Sequence, residues 1–259
     1  MLESLQALFG PVSLAGLLLA AATILLAGFL RGFVGFGASL LIVMVLSAVL
    51  GPLAAVPIAN LTGVPATIQL LPTAIRDGER SFVIPFAVTS FVAAPIGTLL
   101  LVTLDPALMK IAISLFVLAM VAMLYRGWQL SRRTSPTVLI GGGVSAGFVQ
   151  GAAGVGGPPA VVVALSRPGT AHEQRGNVIG SVSALGLSSL LPLWYYGLFT
   201  REVVLMSLVF IPLYMGATWV GAHYFSRHGH RHFRNAALLI TAVIGVVTLG
   251  IAVRDYWTG

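Results

Sequence analysis

Polar positions are so sparse along this chain that they delimit its elements. Apolar runs extend over Val12–Leu30, Ala38–Leu50, Leu53–Ile75, Phe82–Leu104 and Ala107–Tyr125. They resume over Thr137–Gln150, Pro159–Leu165, Asn177–Tyr196, Val203–Phe225 and Ala236–Val253. Short polar clusters separate them, among them Arg76-Asp77-Gly78-Glu79-Arg80, Asp105-Pro106, Arg167 to Arg175, Arg201-Glu202 and Arg227 to Arg234. About 20 apolar residues at ~1.5 Å each span a bilayer as a helix. Most of the runs predict such helices, but Ala38–Leu50 and Thr137–Gln150 are too short.

One pattern occurs twice. Gly28-Phe29-Leu30-Arg31-Gly32-Phe33-Val34-Gly35-Phe36-Gly37 returns as Gly147-Phe148-Val149-Gln150-Gly151-Ala152-Ala153-Gly154-Val155-Gly156, every glycine 119 positions from its partner. Each copy breaks an apolar segment and sets one long polar side chain, Arg31 or Gln150, just before its G-x-x-G-x-G run. Gly-interrupted hydrophobic segments at matching places in two halves point to a transporter's binding site. The chain therefore divides into a first transmembrane repeat, 1–128, and a second, 129–259, in one bundle without a soluble domain.

Five segments per half is an odd number, so the second half enters the membrane inverted. If all ten segments cross, one face collects Arg31, the Arg76–Arg80 loop, Arg126 to Arg133, Arg167 to Arg175 and Arg227 to Arg234. That face is the cytoplasm, and both termini lie outside. Trp128, Trp194 and Trp257 fall near segment ends, where interfacial tryptophans belong. The short segments allow a second topology, in which each break is re-entrant or a broken helix and the two meet near the midplane. Arg31 is cytoplasmic in the first topology and intramembrane in the second, and the short segments favour the second. The expected fold is thus all-α and polytopic: two inverted repeats with glycine-broken or re-entrant helices.

Composition agrees. The chain is 58% hydrophobic and 8% charged, against roughly 25% charged for soluble domains. A net charge of +7 could suggest nucleic acid, but basic loops between apolar runs answer to the positive-inside rule instead. Cysteine is absent, which removes thiol chemistry. Residues 1–10 carry no basic residue, so the first apolar run is expected to be a retained helix rather than a cleaved signal.

The two glycine breaks, the asparagine-bearing third segments with Asn60 and Asn177, and the size resemble the TauE/SafE family, the sulfite exporters, over essentially the whole chain. The first copy departs from the family form in having Ala38 and Ser39 after Gly37, where the second continues as Gly157-Pro158-Pro159. The resemblance implies transport of a small sulfur-containing anion or organic acid such as sulfite or a sulfonate. It also implies a bacterial cytoplasmic (inner) membrane.

The residues suit an anion in their own right. Gly32, Gly35 and Gly37, and Gly151, Gly154 and Gly156, let backbone approach a ligand closely. The helices that begin after the breaks present unpaired N–H groups and a partial positive charge. Arg31 can grip an oxyanion through two parallel hydrogen bonds, Gln150 can donate an amide, and Asn60 and Asn177 can bond substrate or broken backbone. The glycines also suit plain helix packing, within the chain or in a homodimer.

The Arg227-His228-Gly229-His230-Arg231-His232 tract lacks carboxylate or cysteine and reads as a basic loop, not a metal site. No metal or cofactor is expected. The seven acidic residues fall in loops or at ends, so no intramembrane acid–base or nucleophile cluster marks an enzyme. A secondary transporter exporting a small oxyanion is the leading expectation. An anion channel and a membrane scaffold subunit are the alternatives.

Overall fold

A computed structural model of the chain describes residues 14–103 and 136–228, with Leu115, Ala122, Arg126, Phe233, Asn235, Ala236, Leu239, Val243, Val246, Gly250 and Arg254. The expected spans Ala107–Tyr125 and Ala236–Val253 lie largely outside the described residues. So do Trp128, Arg132, Arg133, Trp257 and positions 229–232 of the histidine tract. The described helices are α1 (Leu14–Phe33), α2 (Ala38–Leu50), α3 (Pro52–Asp77), α4 (Arg80–Thr103), α5 (Pro136–Ala153), α6 (Gly157–Ser166), α7 (Ala171–Tyr195) and α8 (Arg201–His228). No strand occurs among these residues.

Among the described residues, five stretches are long and apolar enough to cross a membrane: Ala15–Phe33, Pro52–Asp77, Arg80–Thr103, Ala171–Tyr195 and Arg201–Arg227. Large apolar side chains such as Ile68, Val92, Leu191 and Trp219 point outward, as lipid rather than water requires. The protein is a multi-pass membrane protein. α3 keeps its helix through Pro57, Pro65 and Pro72, because neighbouring helices in a membrane bundle re-satisfy the carbonyls that proline frees. α2 and α6 have 13 and 10 residues, about 20 and 15 Å at the helical rise, and neither spans. All of Pro158–Ser166 in α6 is buried, so that helix meets protein on every side.

Two polar stretches are shorter than the hydropathy pattern suggests. The Arg76–Arg80 cluster contracts to Gly78-Glu79, with the Gly78 N–H closing the end of α3 on the Ala74 carbonyl at 3.0 Å. Arg167–Arg175 contracts to residues 167–170, because Thr170 and Glu173 form a capping box that starts α7 six residues before Asn177. The box satisfies two orphan N–H groups of the first turn, so the polar residues that follow are helical.

The helices pair in matched sets. α1 packs on α8 and α5 on α4; α3 packs on α8 and α7 on α4; α2 packs on α3 and α6 on α7. α1 and α8 run parallel, since Gly28 meets Tyr214 and Ala217 while Gly32 meets Thr218 and Ala222. α5 and α4 run parallel likewise, with Gly143 on Phe86, Gly147 on Ser90 and Gly151 on Ala94 and Thr98. At the centre α3 and α7 lie antiparallel: Asp77 and Gly78 abut Gly176, whereas Val56 shares an apolar cluster with Leu193.

Candidate functional site

A cavity of about 40 Å³ opens where the breaks converge, enough for more than one water, which needs ~10–15 Å³. Its walls include Asn60, Val64 and Thr67 from the middle of α3, Val182 and Leu187 from the middle of α7, and Tyr214 from the middle of α8. Gly37, Ala38 and Ser39 bring the N-terminus of α2 to it, and Gly157 brings that of α6. The breaks themselves touch, since a Cβ built on Gly157 would lie 3.9 Å from that of Phe36. Two helix N-termini with positive dipole ends thus face one small space. α2 has unpaired N–H groups in its first turn, whereas in α6 Pro158 and Pro159 carry no N–H and the Gly156 N–H is taken by Gln150.

Arg31 occupies the last turn of α1. Helical side chains lean toward their own N-terminus, so its guanidinium turns back from the helix end into the bundle. It is only 4% exposed and lines the cavity, unlike a residue on an open loop. Nη1 donates to the Gly35 carbonyl, and Nη2 donates to Ser183 Oγ at 2.9 Å. Arg76 pairs with Asp77 and Arg167 with Glu79, and neither ion pair includes Arg31.

Gln150 and Asn60 form a chain of amides on the same wall. Asn60 Nδ2 donates to the Val56 carbonyl at 2.9 Å, Gln150 Nε2 donates to Asn60 Oδ1 at 3.1 Å, and the Gly156 N–H donates to Gln150 Oε1 at 3.0 Å. Each amide carbonyl is engaged, and each NH₂ keeps a second hydrogen beyond the one used. The wall therefore offers donors, the chemistry an anion needs.

The glycines divide by role. Gly35 and Gly154 share positive φ, 91° and 69°, and turn the chain where side-chain-bearing residues would be strained. Gly37 is also left-handed at φ 88°, whereas its counterpart Gly156 is right-handed at φ −65°. The second break thus differs in shape from the first and leaves its N–H to Gln150. Gly32 and Gly151 are packing residues: a Cβ on either would strike a backbone carbonyl of the facing helix, Thr218 or Ala94. Of the six glycines singled out from the sequence, only Gly37 lines the cavity.

Asn177 stands apart. Its Oδ1 accepts from the Glu79 N–H at 2.7 Å, and its Nδ2 donates to Glu79 Oε1 at 3.0 Å. Arg167 Nη2 reaches Glu79 Oε2 at 2.7 Å, so Asn177 belongs to a polar cluster joining the α3–α4 turn to the α6–α7 loop. Nearby, the buried Arg175 donates to the terminal α1 carbonyls of Gly32 and Phe33 and lies 4.2 Å over the Phe225 ring. It satisfies carbonyls that α1 leaves unpaired. Sequence reading placed Arg175 in a loop; the Thr170–Glu173 capping signature is the signal that puts it inside a helix. Tyr214 and Thr67 were not singled out either, since hydroxyl residues in apolar helices carry no distinctive spacing.

Among the described residues no group of three or more His, Cys, Asp or Glu gathers as a metal site. A family model described as Sulfite exporter TauE/SafE matches residues 19–248, nearly the whole chain. No curated protein and no solved structure gives a match.

Proposed function

The chain belongs to the TauE/SafE sulfite exporter family, and from that premise we propose that it carries a small oxyanion across the membrane by alternating access. Sulfite or a related sulfonate or organic acid is the substrate, and export is the direction. The observation that carries this reading is Arg31, a guanidinium buried in the mid-bundle cavity with no carboxylate paired to it among the described residues. A buried charge left uncompensated is costly, and an oxyanion entering the cavity supplies the missing charge. The N-terminus of α2 and the Asn60–Gln150 amides add donors around it, and the positive end of α6 faces the same space. The site binds and releases; it performs no covalent chemistry.

The repeated motif and the antiparallel α3 and α7, which occupy corresponding places in the two halves, support an inverted repeat about the cavity. The bodies that rock are the glycine-packed pairs α1–α8 and α4–α5, each taking one helix from each half. The basic loops face the cytoplasm of a bacterial cell and the termini face outward. Moving a negative charge out of a negative-inside cell is downhill by about 2.3 kcal/mol per 100 mV, so the membrane potential can drive export.

The test is sulfite flux in liposomes holding the purified protein. Wild type should give saturable flux, which separates a carrier from a channel. Arg31→Ala should reduce it at least a hundredfold, and Arg31→Lys should recover part, because lysine keeps the charge but not the fork of donors. Undiminished flux in a folded Arg31→Ala variant would refute the anion site.

A further inference from the structure

Tyr214 and Thr67 both line the cavity and are 2% and 9% exposed. Buried hydroxyls almost always find a hydrogen-bond partner, yet neither has one among the described residues. Thr62 and Thr218 also lack a partner among these residues but do not line the cavity, and the nearby serines differ. Ser183 accepts from Arg31, and Ser181, Ser188 and Ser189 donate to carbonyls of their own helix. The Tyr214 ring belongs to the apolar cluster of Ile24, Ala27 and Ile42. α8 is held in register with α1 at this height, because Gly28 abuts the Tyr214 carbonyl.

We infer that Tyr214 and Thr67 are substrate-binding residues, whose hydroxyls donate to oxyanion oxygens that Arg31 does not reach. This rests on the cavity being the anion site. It makes specificity a matter of oxygen geometry as well as charge: Arg31 comes from α1, Thr67 from α3 and Tyr214 from α8. A ligand bonded to all three is gripped from three directions. An anion lacking several hydrogen-bonding oxygens would engage Arg31 alone.

Tyr214→Phe and Thr67→Val remove each hydroxyl while keeping most of the side-chain volume. Two readouts apply: sulfite flux in liposomes, and the sulfite concentration that half-maximally raises Tm in detergent. In each variant KM and the half-maximal concentration should rise about tenfold, the factor that one hydrogen bond to a charged group carries. Tm without sulfite should stay near that of wild type. A Tyr214→Phe protein with unchanged KM, beside an inactive Arg31→Ala protein, would overturn this inference and leave the anion site in place. Normal flux in Arg31→Ala, or a wild type indifferent to sulfite in both assays, would overturn the two together.

Discussion

Gln150 shows how a single side chain can hold backbone and cavity at once. Its carbonyl takes the Gly156 N–H and its amide nitrogen donates to Asn60, so Gln150→Ala strands two polar groups in a buried place. The loss should be about 1–3 kcal/mol, read as lower stability in denaturant unfolding. Gln150→Glu separates the two roles. The carboxylate still accepts from Gly156 but cannot donate to Asn60 Oδ1, so stability should fall with this variant too. A negative charge beside Arg31 should also raise the KM for sulfite at least tenfold. Arg31, Gln150 and Asn60 were legible in the sequence because long polar side chains are rare in apolar runs. Asn177 carried the same signal and answers instead to Glu79, a residue 98 positions earlier in the chain, which no local pattern reveals.

At the level of the helix, the duplicated glycine run announced both breaks, but not which glycine turns the chain and which admits a neighbour. That division depends on facing helices far away in sequence, α8 for Gly32 and α4 for Gly151. Gly151→Ala should therefore destabilise by about 1–3 kcal/mol, since the new methyl meets a backbone carbonyl that cannot move aside alone. Gly141 is the control on the same helix, with nothing within 4 Å of an added Cβ. Gly141→Ala should be neutral or stabilise by up to about 1 kcal/mol through helix propensity. Thermal unfolding of the two variants side by side checks both. Helix starts were legible unevenly. The apolar run beginning at Ala38 marks the start of α2 although no side chain caps it, whereas the hydropathy pattern begins the α7 run at Asn177 and passes over the Thr170–Glu173 box that starts that helix.

For the whole molecule, the chain's lack of cysteine permits disulfides to be placed at will. A Phe36→Cys/Gly157→Cys pair, 3.9 Å between Cβ positions, joins the two breaks. A Gly142→Cys/Val163→Cys pair, 3.8 Å apart, joins α5 to α6 within one half. Both separations fall in the disulfide range of about 3.5–4.5 Å. If the breaks move against each other during transport, oxidising the first pair should stop sulfite flux reversibly, and oxidising the second should not. The exchange of partners between halves also bears on how the chain is made. α1 emerges early from the ribosome, but the surface that Gly28 and Gly32 keep bare is covered by α8, which follows more than 160 residues later. The first half cannot complete its own packing. Residues 1–128 expressed alone should insert yet be degraded, and co-expression with 129–259 should rescue both fragments.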